Sequence, residues 1–221
     1  MEIKVWRTSC ENPFQTGSKV VKSKKMLYTY AIRIWKRIRT QEVTMGRYLN
    51  PGMESFEKSV NSEIYVDKTG LVGYTNRVMN TVQGYVCVSR PRRFGKSMAA
   101  NMLTAYYSCS CDSEELFEGL EISRKSDFKK YLNKYDVIHL DVQWCMMDAG
   151  SPENTVAYMN EHLISELQEI YPDIVPDNDE KVYGALSRIN AATGKKFVVI
   201  IDEWDVLIRD EALNQKVQDE Y

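Results

Sequence analysis

The tripeptide Gly95-Lys96-Ser97 is the first group of residues whose types and spacing could do chemistry. It follows an apolar, β-prone run at residues 85–88 and opens an amphipathic pattern that predicts a helix over residues 96–107. Backbone N–H groups at a helix start attract anionic oxygens, and a glycine there lets a phosphate approach the backbone. We therefore predict a phosphate-binding loop. In it the Lys96 ammonium reaches the β- and γ-phosphates and the Ser97 hydroxyl binds Mg²⁺.

This loop departs from the usual phosphate-binding pattern at one position. Arg90 stands five residues before Gly95, where the first glycine normally belongs. Two roles stay open for Arg92 and Arg93, which either neutralise charge in a transition state or contact acidic neighbours or nucleic acid. The residues predicted to bind the nucleotide are Arg90, Pro91, Arg92, Arg93, Phe94, Gly95, Lys96, Ser97 and Met98.

A second motif consists of five apolar residues, 197–201, followed by Asp202 and Glu203. Such a run predicts a buried strand that delivers both acids to the carboxyl edge of a parallel sheet, where ligands bind in open α/β folds. There Asp202 is expected to hold Mg²⁺ together with Ser97. Glu203 is the expected catalytic base that orients and polarises a water, and Lys96 is the second predicted catalytic residue.

Three further polar residues are weaker candidates. Asp141 ends another apolar run and either faces the site or caps a helix, and capping is the favoured interpretation. His139, in that run, is interpreted as a packed core residue. His162 is interpreted as structural.

The elements that must position these residues alternate between strands and helices. Gly194 is a plausible helix end. Strands separated by helices predict an α/β fold with a parallel sheet flanked by helices. Strands are predicted over residues 85–88, 136–142 and 197–202, a short strand-like run over 63–67, a helical or irregular segment over 55–61, and helices over 68–80, 96–107, 152–171 and 178–192.

Composition places the chain among ordinary globular proteins. Its 221 residues are 43% apolar and 27% charged, with a formal net charge of −2, which excludes collagen-like, mucin-like and wholly disordered classes. No run of about 18 apolar residues predicts a membrane span. The five cysteines have no disulfide-scaffold or zinc-site spacing, which favours free thiols in a reducing cytoplasm.

The charge is unevenly distributed. Residues 1–44 carry ten Lys or Arg and three Glu, a charge of +7, whereas the remainder carries −9. The favoured interpretation is a disordered or non-native extension, with translation starting at Met45. The alternatives are a marginal helix and an arm that binds nucleic acid or an anionic membrane. The predicted domain therefore covers residues 45–221.

Four segments of the chain resemble the bacterial AAA-ATPase-like family, whose members often carry a nuclease-like domain of the PD-(D/E)xK type. The loop segment is highly specific, and the family also has arginine at the position of Arg90. The last segment usually reads Asp-Glu-Tyr-Asp, so Trp204 is a small departure. The segments are Tyr65-Val66-Asp67-Lys68-Thr69, Ser89-Arg90-Pro91-Arg92-Arg93-Phe94-Gly95-Lys96-Ser97, Glu115-Leu116-Phe117-Glu118-Gly119-Leu120 and Ile200-Ile201-Asp202-Glu203-Trp204-Asp205.

The resemblance implies a P-loop NTPase fold that binds ATP and Mg²⁺. It also implies a sensor strand, placed between the loop strand and the 197–202 strand, and a nuclease-like domain through which nucleic acid would bind. Because 19 residues follow Asp202, and residues 206–221 are charged and helix-prone, we expect the domain to be incomplete. This chain alone is then expected to be marginally stable and a poor ATPase.

Two functions from different classes remain after the sequence is read. The first is an ATP- and Mg²⁺-binding domain that hydrolyses ATP in the full-length protein. The second is a non-hydrolysing nucleotide- or anion-binding module whose arginine-rich loop contacts nucleic acid or a protein partner. The pair Asp202-Glu203 favours hydrolysis, because binding alone needs no second acid. The 221 residues of the sequence contain no PD-(D/E)xK nuclease pattern.

Overall fold

Two apolar runs form the sheet, as their continuous β-prone sequences predict. The predicted burial of the run at 197–201 is wrong, because Val199 and Ile201 are 51% and 47% exposed. In the computed structural model the two runs are β1, Asp136–Asp141, and β2, Phe197–Asp202, and they pair in parallel. The register aligns the last residues of the two strands, Asp141 and Asp202. Two carboxylates therefore end neighbouring strands at the carboxyl edge of the sheet.

Some sequence predictions fall outside the described part of the chain. The structure describes residues 45–89, 91, 93–176 and 181–210. The N-terminal extension 1–44, Arg90, Arg92 and the last residues, 211–221, lie outside it, as do the first residues of the helix predicted over 178–192.

Helices surround the strand pair in the described residues. The longest, α6, follows directly after a 3-10 turn, and α3 opens immediately after Gly95. The α-helices are α1 Glu54–Val60, α2 Gly70–Val78, α3 Lys96–Tyr107, α4 Phe128–Tyr131, α5 Val142–Ala149, α6 Thr155–Ile170, α7 Val182–Thr193 and α8 Val206–Asp210, and the 3-10 helices are Glu114–Phe117, Glu121–Arg124 and Pro152–Asn154.

The two faces of the sheet carry separate apolar cores, because successive side chains of a strand point to opposite faces. Val137 belongs to a cluster with Phe56 of α1 and Tyr106 of α3. Ile138, its neighbour in β1, belongs to a second cluster with residues of α6 and α7. The helix stripe predicted from Tyr158, Leu163 and Leu167 packs in this second cluster. The strand pair therefore lies between two layers of helices.

One edge of the sheet is covered by residues just before α1. Leu49 forms an isolated antiparallel bridge with Ile138 of β1. The His139 N–H donates to the Tyr48 carbonyl at 2.8 Å, and the Asn50 N–H donates to the Val137 carbonyl at 2.7 Å. This covering satisfies backbone groups that would otherwise be exposed on an edge strand.

The strand predicted over residues 85–88 is wrong. This segment has no regular secondary structure, and Tyr85 and Val88 are 97% and 39% exposed. A strand needs a hydrogen-bonding partner, and within the described residues the sheet consists of β1 and β2 alone. The strand-like run at 63–67 is also irregular, with Ile64 exposed, for the same reason. Apolar patterning predicts burial but cannot supply the pairing partner.

The predicted helices are confirmed, all but one of them with shifted ends. The helix over 96–107 is confirmed without a shift, whereas the one over 68–80 shortens to α2. The helix predicted over 152–171 begins as the 3-10 turn and continues as α6. Gly194 ends α7 with a φ of 72°, in the left-handed region that glycine accepts readily.

Two further findings concern membrane spans and cysteines. In the described part of the chain, no helix has both the length and the apolar character needed to cross a bilayer. The four cysteines that the structure describes are free thiols.

Candidate functional site

The start of α3 has the backbone geometry of an anion-binding loop. Gly95 is the N-cap residue with a φ of 76°, and Arg93, two residues earlier, has a φ of 69°. Ser97 is exposed, and Lys96 is half-buried at the first helical position. The unsatisfied N–H groups of the first helical turn and the helix dipole favour a negatively charged ligand here.

Gly95 has a close neighbour from a distant segment, which the sequence did not indicate. A Cβ at this position would collide with the Nζ atom of Lys68, which lies against the loop. That a side chain here would crowd a phosphate stays a prediction. The positive φ independently favours glycine.

The two acids that follow β2 differ in their surroundings. Asp202 is 7% exposed, and its Oδ1 atom accepts a hydrogen bond from the Glu203 N–H at 3.0 Å. Glu203 has a φ of 50°, and its side chain, 20% exposed, lies 3.9 Å from the Arg209 guanidinium. A non-glycine residue with such a backbone costs about 1 kcal/mol or more, and such strain concentrates at functional sites.

One pocket brings the phosphate loop and Glu203 of the second motif together, whereas Asp202, the predicted metal ligand, is not among its lining residues. Its volume is about 530 Å³. Three of its lining residues, Arg93, Gly95 and Glu203, have positive φ angles. The lining residues are Arg93, Gly95, Lys96, Ser97, Gln143 and Glu203.

Other predicted loop residues do not line this pocket. Pro91 and Phe94 are exposed, and Met98 is half-buried. Arg90 and Arg92 lie outside the described residues. Of the nine predicted nucleotide-binding positions, the structure therefore places Arg93, Gly95, Lys96 and Ser97 around the pocket.

Asp141 caps a helix, as the favoured interpretation predicts, and it is not among the residues that line the pocket. Its carboxylate caps α5 by accepting a hydrogen bond from the Trp144 N–H at 3.0 Å. Burial raises the pKa of Asp141, and the charges of Asp202 and Glu203 raise it further against the opposing effect of that hydrogen bond. Three acids therefore interact at the carboxyl edge, which is a setting that a cation stabilises.

The two histidines behave as the sequence predicts. His139 is half-buried, and its Nδ1 atom lies 2.9 Å from the Thr104 hydroxyl of α3. Burial lowers the pKa of His139, although the nearby Asp202 charge opposes that shift. His162 packs against Tyr158, with ring centroids 4.1 Å apart.

Sequence reasoning missed two residues near the loop, Gln143 and Lys68. Gln143 lines the pocket and lies two residues beyond Asp141. A polar residue just after the end of β1 is the signal that could have identified it. Lys68 comes from a distant segment, and only its place in the resemblance segment at residues 65–69 gave a hint.

The donor set suits Mg²⁺ only together with a ligand. Among the described residues, no group of three or more His, Cys, Asp or Glu side chains is placed to hold a metal ion. The Ser97 hydroxyl and the Asp202 carboxylate are hard oxygen donors of the kind that Mg²⁺ takes, usually beside substrate phosphates. These residues fit a cation whose remaining ligands come from a bound polyphosphate and water.

A different polar cluster lies at the opposite end of the strands. Asp136 is 3% exposed, and its Oδ2 atom accepts a hydrogen bond from Tyr171 at 2.6 Å and forms an ion pair with the Lys195 ammonium at 3.1 Å. Its Oδ1 atom accepts from the Asn50 amide at 2.8 Å and the Cys109 thiol at 3.3 Å. Burial alone would raise the pKa of Asp136, but these donors lower it below its ordinary value.

Comparison with known proteins gives a family. The family model described as "Predicted AAA-ATPase" matches residues 50–221. A protein of Azotobacter chroococcum mcd 1, described as an uncharacterized protein in the vnfD 5′ region, is 28% identical over 171 residues. That match covers 75% of this chain, and the chain spans about 30% of the relative's length. No solved structure matches the chain. Since the family model covers most of the sequence, the chain belongs to the AAA-ATPase-like family.

Proposed function

We propose that this protein binds Mg²⁺ and ATP in the pocket at the start of α3. The observation that carries the proposal is that Gly95, Lys96 and Ser97 line the same pocket as Glu203, which is 106 positions further along the chain than Ser97. A volume of about 530 Å³ falls within the range of small-molecule sites. Membership of the AAA-ATPase-like family supports nucleotide as the ligand class.

Each residue has a distinct role in this proposal. The N–H groups of the first turn of α3 and the Lys96 ammonium bind phosphate oxygens. Ser97 and Asp202 hold the cation. When bound, Mg²⁺ neutralises charge on the β- and γ-phosphates. Arg93, exposed at the pocket rim, supplies a further positive charge.

Hydrolysis by the whole protein is the second part of the proposal. Glu203 lines the same pocket as the phosphate loop. A carboxylate there can orient a water and accept its proton. Glu203 has a positive φ, so its backbone conformation differs from that of a regular strand. Such strain is retained where function requires it.

The alternative is a module that binds nucleotide or another anion without hydrolysing it. The exposed loop residues Phe94 and Arg93 favour a contact surface beside the pocket. Phosphate release distinguishes the two functions. A protein that binds ATP but releases no phosphate, whatever the residue at position 203, would be the non-hydrolysing module.

The test is a calorimetric titration of ATP with Mg²⁺ into the wild type, Lys96→Ala and the control Lys134→Ala. Lys134 is exposed and precedes β1, at the end of the sheet away from the pocket. Loss of a charged hydrogen bond is expected to weaken binding about 10-fold or more in Lys96→Ala, with Lys134→Ala unchanged. Binding that is absent from the wild type, or unaffected by Lys96→Ala, would contradict the proposal.

A further inference from the structure

Lys68 lies against the phosphate loop although it comes from a separate part of the chain. Its Nζ atom donates a hydrogen bond to the Phe94 carbonyl at 2.8 Å. The same atom occupies the space that a Cβ at position 95 would need. Its ammonium therefore lies against the Phe94 carbonyl and Gly95, and Gly95 lines the pocket although Lys68 itself is not among the lining residues.

The backbone on each side of Lys68 is anchored. The Asp67 carboxylate accepts hydrogen bonds from the Thr69 N–H at 2.8 Å and from the Glu121 N–H at 2.7 Å. Partial burial would raise the pKa of Asp67, but the Thr69 and Glu121 hydrogen bonds lower it below its ordinary value. Thr69 is fully buried, and its hydroxyl accepts from the Ile122 N–H at 3.1 Å.

This anchoring gives Lys68 a fixed direction. Asp67 and Thr69 both hold the 3-10 helix Glu121–Arg124, whereas the lysine between them reaches the phosphate loop. Two of the segments that carry the family resemblance, 65–69 and 89–97, are thus joined by one side chain. The Lys68 charge is thereby held against the phosphate loop.

The charge of Lys68 has no acidic partner within the described part of the chain. A lysine ammonium has three N–H donors, and the Phe94 carbonyl accepts one of them. The side chain is half-buried, so water does not fully surround it. A cation with N–H donors left over, beside the N-terminus of α3, is arranged for an anion.

We propose that Lys68 is a second lysine of the phosphate site, which contacts the triphosphate of bound ATP while it keeps the loop closed through Phe94. This inference rests on the proposed function and names an additional binding residue for it. The ligand chemistry is a polyphosphate, so inorganic tripolyphosphate should be recognised as well as ATP.

The experiment compares the wild type with Lys68→Met, Lys68→Arg and the control Lys134→Met. Affinities for Mg²⁺ with ATP and for tripolyphosphate are measured by calorimetry at two or more salt concentrations. Lys68→Met should weaken both ligands about 10-fold and reduce the salt dependence of binding, because one cation is lost. Lys68→Arg should stay within about threefold of the wild type, because it keeps the charge.

A purely structural role would give a different pattern. Thermal unfolding of the ligand-free variants should match the wild type, because Lys68 makes a single hydrogen bond in the described residues. If Lys68→Met binds both ligands as the wild type does, or if Lys68→Arg loses as much affinity as Lys68→Met, the inference is overturned. If the wild type binds no ATP, both proposals fail. If Lys96→Ala weakens binding and Lys68→Met does not, only the role of Lys68 fails.

Discussion

The two ends of the β1–β2 pair carry aspartates in opposite circumstances. At the amino end, Asp136 is surrounded by four hydrogen-bond donors, and its pKa is lowered. At the carboxyl end, Asp141 lies beside Asp202 and Glu203, and its pKa is raised. The same two strands therefore end in a satisfied acid on one side and in acids that repel one another on the other.

This difference separates a structural acid from acids available for function. Burying a carboxylate is costly unless donors compensate it, as they do at Asp136. At the carboxyl end, Asp141 and Asp202 each accept one printed backbone hydrogen bond, and Glu203, which lies 3.9 Å from Arg209, lines the pocket. A bound cation would supply the missing positive charge, which agrees with the proposed site for Mg²⁺.

Glu203→Gln should have the largest effect on activity and a small effect on the fold. Removal of the carboxylate that orients water should lower phosphate release about 100-fold or more, with ATP affinity within about threefold of the wild type. It should change stability little, because the lost attraction to Arg209 is offset by the lost repulsion from Asp141. Phosphate release, calorimetry and thermal unfolding on the same preparations test this, and an unchanged rate would contradict the role of Glu203.

Asp136→Asn should produce the reverse pattern. Loss of the charge-assisted hydrogen bond from Tyr171 and of the ion pair with Lys195 is expected to lower the free energy of unfolding by about 2 kcal/mol. Nucleotide affinity of the folded variant should not change, because the residue lies at the far end of the sheet. Urea unfolding and calorimetry at a temperature where the variant is folded measure both effects. A variant that loses affinity but keeps its stability would break the distinction between the two ends.

Ionisation of Asp136 and of Asp141 should change the stability of the fold in opposite directions. A lowered pKa means that the contribution of Asp136 is present above its ordinary value of 3.8 and is lost as the pH falls through its folded pKa. The stability deficit of Asp136→Asn should therefore shrink below pH 3.8. Urea unfolding at a series of pH values between 7 and 3 tests this, and a deficit that stays constant would contradict it.

Asp141→Asn should have the smallest effect. Because the pKa of Asp141 is raised, its charge disfavours the folded state once the pH rises through the folded pKa. Asparagine caps a helix about as well as aspartate, so the variant should equal or slightly exceed the wild type in stability at pH 7. Any gain should disappear in acid. A clear loss of stability at pH 7 would show that the charge is compensated in the folded protein.

Local sequence predicted the elements that depend on local interactions. The helix over 96–107 is confirmed because its apolar spacing and its glycine cap lie within one segment. The strand over 197–202 is confirmed because its apolar run and its partner at 136–141 are both strongly β-prone. The pairing of Lys96 and Ser97 with Glu203 around one pocket could also be expected, because strand ends and helix starts meet at the same edge of a parallel sheet.

Features that depend on distant partners could not be predicted. Residues 85–88 have the composition of a strand, yet their structure depends on a neighbouring strand that the described residues do not provide. The Asp136 cluster combines Asn50, Tyr171 and Lys195 from three separate segments. Lys68 reaches the loop because the residues on either side of it are anchored to a distant 3-10 helix. None of these contacts leaves a periodic signal in the sequence.

The most direct test of the central claim is whether Ser97 and Asp202 hold the same cation. ATP affinity is measured with Mg²⁺ and with EDTA for the wild type, Ser97→Ala, Asp202→Asn and the double variant. If both residues hold one cation, each single variant should weaken Mg²⁺-dependent binding about 10-fold, and the double variant should lose little more than either. The losses should vanish in EDTA. Losses that multiply to about 100-fold, or that persist unchanged in EDTA, would contradict a shared magnesium triphosphate site.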